Sequence, residues 1–202
     1  MITNQIESLV IFARGQAYLG LNQLRQAEQA FNDTLALQAD FQLAMLGIAQ
    51  VAMNQNDLMK ANKFVDTALS SYEPLINAWI MKATLFQMQG QKEQALSTIS
   101  KAIKQNPEHL QARLNRSTLY IGNENWIKAA EDLDIVLDKI PLEPRAKYLR
   151  AIVSAKLGNG EDSKAKLNEV IVTLNSISDE VMMQNPTYLF LAGVTNFNFG
   201  NL

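Results

Sequence analysis

The sequence predicts an all-α fold, a right-handed superhelical solenoid of antiparallel helix pairs that takes up residues 1–202 as a single array. Two observations predict it. Small residues recur every 34 positions in three columns that stay in register. Glycine and proline fall where such a frame needs turns and stops, and no low-complexity tract or flexible linker interrupts it.

The frame is clearest in the series Ala78, Trp79, Ala83, Phe86, Gly90, Ala95, Ala102 and Pro107. Trp79 opens a first helix, and Ala83 is the small residue where helices meet, since a larger side chain would wedge the backbones apart. Gly90 turns the chain because it tolerates positive φ. Ala95 lets the second helix approach the first, and Pro107 ends that helix. Steps of 34 recover the close-packing column as Gly15, Ala49, Ala83, Ser117 and Ala151. A second column reads Ala27, Ala61, Ala95 and Ala129, and a third Ala44, Ala78, Ala112 and Ala146. These spacings resemble the tetratricopeptide repeat.

The repeats are expected over about 8–41, 42–75, 76–109, 110–143 and 144–185, with a partial sixth over 186–202. The fifth is stretched, because the small residue after Ala151 is Gly193. Its surplus is expected partly in the turn Gly158-Asn159-Gly160 and partly around Ser176–Asn185. Pro186 opens a sixth first helix, and the chain stops at Leu202 where a partner helix is due. The sequence therefore reads as a fragment of a longer array. Leu189, Phe190, Leu191, Val194 and Phe197 are expected to leave an apolar face that invites self-association.

Composition narrows the chemistry. There is no Cys and one His, so thiol chemistry and Cys-built zinc sites are excluded. A net charge of −2 argues against binding nucleic acid. No cofactor or metal is expected, and no phosphate-loop, dinucleotide or HExxH pattern occurs. Glu131, Asp132 and Asp134 read as the solvated face of a helix, and Glu161 with Asp162 as partners of a helix dipole. His109 reads as a loop or capping residue; Trp79, Trp126, Tyr18, Phe86 and Tyr120 read as packing residues. The chain is expected not to be an enzyme.

A binding surface can be read by register. In this architecture the first helices line the concave face. Their inward positions are Phe12, Leu46, Ile80, Leu114 and Tyr148; Leu19, Met53, Gln87 and Ile121; and, between these, Gln16, Gln50, Thr84 and Thr118. The groove is thus expected to be mainly apolar with an edge of amides and hydroxyls, suited to a protein or peptide segment with apolar anchors. It is a poor match to the receptors of this repeat class that clamp a terminal carboxylate with inward cations. One column departs from the usual pattern: Arg14, Ile48, Lys82, Arg116 and Arg150 stand where leucine is customary. Either their heads pair with carboxylates such as Asp66 and Asp132, or the row holds an anionic partner such as a polysaccharide.

Several segments resemble the tetratricopeptide lipoproteins associated with PEP-CTERM protein sorting and exopolysaccharide production. They are Ala13–Gly20, Ala78–Ala83, Ala112–Ser117, Ala146–Ala151 and Tyr188–Gly193. The resemblance implies a periplasm-facing protein of a Gram-negative envelope, tethered through a lipidated Cys. This sequence has no Cys, so any membrane anchor would lie outside it. A cytoplasmic scaffold is the alternative, and an accessory domain of a larger enzyme is a further one.

Overall fold

The computed structural model describes residues 2–200. The expected end of the array at Leu202 lies outside the described residues. Twelve α-helices and no strands occur among them. The first three pairs are α1 (Ile2–Gly20) with α2 (Leu24–Leu37), α3 (Gln42–Asn54) with α4 (Leu58–Leu69), and α5 (Ile76–Met88) with α6 (Lys92–Gln105). Then come α7 (Leu110–Gly122) with α8 (Trp126–Lys139), and α9 (Pro144–Lys156) with α10 (Gly160–Asn175). A short α11 (Asp179–Gln184) and a final α12 (Pro186–Gly200) follow.

Each pair is joined by a three-residue turn, and the turn repeats its geometry. The middle residue is left-handed every time: Asn22 (φ 56°), Asn56 (59°), Gly90 (74°), Glu124 (57°) and Gly158 (83°). The next amide reaches back five residues to close the first helix. Gln23 donates to the Tyr18 carbonyl, Asp57 to Ala52, Gln91 to Phe86 and Asn125 to Tyr120, each at 2.8 Å, and Asn159 to Ser154 at 3.0 Å. Asp57, Asn125 and Asn159 also cap the second helix with their side chains, accepting from the amides of Lys60, Lys128 and Asp162.

The turn of the fifth repeat is therefore as short as the others, contrary to the expectation that it holds part of the surplus. The extra residues all come later. Helix α10 has 16 residues where the other second helices have 12 to 14, and α11 occupies the rest. Positive φ at Gly158 marks the ordinary turn, so this glycine signals register and not insertion.

The chain forms two compact units, residues 1–106 and 107–202. In both, the small columns do what close packing requires. Ala27, Ala61, Ala95 and Ala129 are fully buried, as are Ala44, Ala78, Ala112 and Ala146. In the first unit Phe31 fills the space between Gly15 of α1 and Gly47 of α3. A Cβ at either glycine would lie 2.6–2.7 Å from the ring, so neither position can carry a side chain unless Phe31 moves. In the second unit Leu133 and Val136 pack with Leu114 and Val153, and Val170 and Leu174 pack with Leu191 of α12.

Layering follows from which helices touch. First helices of successive repeats meet: α1 with α3, α3 with α5, and in the second unit α7 with α9 and α9 with α12. Within each unit, no two second helices of successive repeats do so among the described residues. Within each unit the first helices thus form the tighter, inner layer. Helix α12 packs on α10 and α9, the place a sixth first helix should occupy, while Leu189, Phe190 and Phe197 stay exposed.

Candidate functional site

The inner face of the first unit is carried by α1, α3 and α5. Of the residues assigned to it, Gln16 and Gln87 are exposed, and Leu19, Gln50, Met53, Ile80 and Thr84 are partly so. Gln50 donates to Asn54 Oδ1 at 3.0 Å, one turn further along α3. Thr84 donates to the Ile80 carbonyl. Phe12 is engaged by its neighbours, with ring centroids 5.8 Å from Phe31 and 5.2 Å from Phe41.

Leu46 and Leu114 do not line an open face. They are 5% and 4% exposed, and their side chains belong to the cores formed with Ala61 and Val65 and with Leu133 and Val136. Register alone places a residue on a helix face; how close the next first helix comes decides whether that residue stays accessible. In the second unit Thr118, Ile121 and Tyr148 remain partly accessible. Thr118 accepts from Arg145 at 3.3 Å. The Tyr148 hydroxyl accepts from Asn198 of α12 at 2.9 Å. Burial raises the Tyr148 pKa above the ordinary phenol value, and the Asn198 hydrogen bond opposes that shift.

The basic column is matched by carboxylates. Arg14 lies 3.8 Å from Asp33, Lys82 2.8 Å from Asp66, Arg116 2.7 Å from Asp132 and Arg150 2.7 Å from Asp134. Lys82 also donates to Asn62 at 2.8 Å and sits 5.0 Å from the centre of the Phe86 ring. Arg116 lies 5.6 Å from the Tyr120 ring. The aromatic column one turn after the basic one thus supplies a surface for the cations.

Asp132 differs most from the sequence reading. It is buried, not on a solvated face, and accepts hydrogen bonds from Arg113 Nη1 (3.1 Å), Arg116 Nε (2.7 Å) and Arg116 Nη2 (2.8 Å). The hydrogen bond to Asp132 raises the Arg116 pKa further above its ordinary value, so the guanidinium stays charged. Asp134 and Glu131, its neighbours, are exposed as expected. His109 caps α7, its Nδ1 accepting from the Ala112 amide at 3.2 Å. Trp79 is partly buried, with Lys101 Nζ 5.6 Å from its ring and its own Nε1 without a hydrogen-bond partner.

Two clefts escaped the sequence reading. One of about 260 Å³ in the second unit is lined by Asp134, Lys147, Arg150, Lys166 and Glu169 among others. Its charges are paired, Lys147 of α9 with Glu169 of α10 at 3.0 Å, and Lys166 with Asp162 one turn away on α10 at 3.0 Å. Another of about 400 Å³ lies where repeats join, beside Asp40, Gln42, Tyr72 and Glu73. There Gln42 donates to the Glu73 carbonyl and accepts from the Leu75 amide, both at 3.0 Å. Only the recurrence of an amide opposite a loop backbone could have pointed to it, and the 34-residue frame does not repeat it. Among the described residues no group of three or more acidic or His side chains is placed to hold a metal ion, and no helix is long and apolar enough to cross a membrane.

These helix pairs, their left-handed turns and their alanine columns define a tetratricopeptide-repeat fold. Residues 12–74 match one tetratricopeptide-repeat family model and residues 76–109 another. The chain is similar in structure to PilF of Pseudomonas aeruginosa, with a TM-score of 0.78, 14% identity, and coverage of 98% of this chain and 90% of that one. It is also similar to PilW, a widely conserved type IV pilus biogenesis factor (TM-score 0.75, 16% identity, coverage 95% and 90%). A third is YrrB, a tetratricopeptide protein with an unusual peptide-binding site (TM-score 0.60, 18% identity, coverage 82% and 86%). No curated protein matches the chain. The fold is one that typically serves as a non-catalytic interaction scaffold.

Proposed function

We propose that this chain holds a segment of a partner protein on its inner face, as a non-catalytic scaffold in bacterial envelope protein sorting or exopolysaccharide export. The observation that carries the binding reading is the surface left open on α1, α3 and α5. Leu19, Met53 and Ile80 offer partly exposed apolar area beside the amides of Gln16, Gln50 and Gln87. Apolar anchors with adjacent hydrogen-bonding groups suit an extended or helical peptide. The envelope setting is supported by the resemblance of several segments to PEP-CTERM-associated lipoproteins, and is in keeping with the likeness to PilW and PilF.

The test is capture from an envelope extract by the immobilised chain, followed by titration of the captured peptide. Ile80→Glu should weaken its binding by about tenfold or more, since it places a charge amid the apolar contacts. Arg150→Met should leave binding unchanged, and so should a rise in salt. Steep salt dependence together with loss of binding in Arg150→Met would overturn this reading in favour of an anionic ligand such as an acidic polysaccharide. Fractionation of cells for the native protein tests the envelope setting separately.

A further inference from the structure

Helix α1 is apolar on two sides. One side, Ser8, Phe12, Gly15 and Leu19, packs into the first repeat. The opposite side presents Ile6, Val10, Ala13 and Ala17 to solvent, flanked by Leu9 and Gly20. Ile6 is 58% exposed and Val10 64% exposed. A surface helix ordinarily turns a polar face outward. Here the outermost arc between Gln5 and Gly20 contains no polar side chain.

The spacing of that arc is informative. Positions 6, 10, 13 and 17 alternate steps of four and three, so that Ile6 and Ala13, and Val10 and Ala17, each lie one heptad apart, the spacing that forms the seam of two supercoiled helices. We propose that the helix lying on this seam is α1 of a second copy of the chain, antiparallel to the first around a two-fold axis.

Side-chain size and charge both favour that occupant. With the axis midway between Val10 and Ala13, Val10 faces Ala13 of the second copy, and Ile6 faces Ala17 of the second copy. Every layer then sets a large residue on a small one, so the helices approach closely without leaving voids. The same register brings Glu7 beside Arg14 of the second copy, once on each side of the axis. Both residues border the seam, and Arg14 is free to take part: its side chain is 54% exposed and its contact with Asp33 is long, at 3.8 Å. A parallel pairing would instead stack alanine on alanine and leave Glu7 and Arg14 at different heights. The interface is isologous, as closed dimers require. Its four layers span roughly 17 Å of helix, which points to a dissociation constant on the order of micromolar.

Sedimentation of the chain between about 1 and 200 μM, a range that brackets such a constant, tests the proposal. A monomer–dimer equilibrium is expected. Val10→Glu should abolish the dimer and leave the helical signal and melting curve intact, because residue 10 touches no core. Glu7→Arg should raise the dissociation constant about tenfold, as two attractive pairs become repulsive ones. Combining Glu7→Arg with Arg14→Glu should return it to near the parental value. Because the chain lacks cysteine, orientation can be read directly. Val10→Cys mixed with Ala13→Cys should cross-link on oxidation, and Val10→Cys alone should not. A monomer at every concentration overturns the proposal and leaves the seam to an adjoining segment or a different partner. A dimer indifferent to Val10→Glu, or self-linking of Val10→Cys, overturns it as well. None of these variants touches Ile80, so failure here is distinguishable from failure of the inner-face reading.

Discussion

The second and fourth repeats solve one packing problem with opposite chemistry. Met45, Ile48 and Phe64 in the second correspond in the frame to Arg113, Arg116 and Asp132 in the fourth. In the second repeat Ile48 is fully buried and packs in one cluster with Phe64. At the matching place in the fourth, Asp132 is 2% exposed and held by two arginines. The site between first and second helix thus accepts either an apolar contact or an ion pair. What stays constant is the alanine framework around it. Register in this fold is set by where side chains must be small, and the intervening sites are free to vary as long as each is internally satisfied.

The two solutions should differ most when one member is removed. Asp132→Ala leaves two guanidiniums without their carboxylate, at side-chain exposures of 15% and 19%. A loss of about 3–5 kcal/mol is expected in urea denaturation. Phe64→Ala should cost about 2 kcal/mol, since the ring is only partly buried. Replacing the whole ionic set by its apolar counterpart, Arg113→Met with Arg116→Ile and Asp132→Phe, should leave stability within about 1 kcal/mol of the parent or raise it. If the triple variant were as unstable as Asp132→Ala, the sites would not be interchangeable and the comparison would fail.

A smaller difference runs through the turns. Four of the five left-handed positions hold Asn or Gly, whereas the fourth repeat holds Glu124 at φ 57°. A residue other than Gly or Asn is strained there. Glu124→Gly should therefore stabilise by about 0.5–1 kcal/mol in thermal or urea unfolding. Gly90→Ala, the reverse change at φ 74°, should destabilise by about 1 kcal/mol. Equal responses at the two positions would show that the turn is not held in this geometry by the fold.

Much of this architecture was legible in the sequence because it depends on residue size at a fixed period. All three small-residue columns are buried, and the pairing of Lys82 with Asp66 and Arg116 with Asp132 follows from charge at matching heights. Periodicity was less informative about depth. Leu46 and Leu114 share the inner face with Ile80, yet the approach of neighbouring helices buries the first two and leaves the third partly open. Asp132 looked solvated because its neighbours Glu131 and Asp134 are; the basic column offered Arg116 as its partner, but its burial also draws on Arg113, 19 residues away and outside that column. Of the turn column only Gly90 reads as an ordinary turn; Gly158 reads as part of an insertion, and Asn22, Asn56 and Glu124 share the left-handed conformation without a glycine to signal it.

The fifth repeat supplies the last and smallest contrast. Arg150 stands where Arg116 does, but the place of Asp132 is taken by Lys166, so Arg150 turns instead to Asp134 and to the Ser154 hydroxyl at 2.7 Å. Ser154 in turn donates to Asp162 Oδ2 at 2.6 Å, and Lys166 lies 3.0 Å from the same carboxylate. The Ser154 hydrogen bond holds the Asp162 pKa below the ordinary carboxylate value; partial burial opposes it, and Lys166 and Arg150 add to the depression. A carboxylate depressed in the folded state contributes stability above its unfolded pKa, near about 4, and that contribution fades as pH falls through the folded value. Ser154→Ala should accordingly move the Asp162 midpoint upward in a carboxyl-detected NMR titration. It should also cost more stability at pH 6 than at pH 3, because a protonated Asp162 gains little from the hydroxyl. An unchanged midpoint would assign the depression to Lys166 and Arg150 alone, and the fifth repeat would then be an ordinary surface pair with none of the directional bonding that marks the fourth.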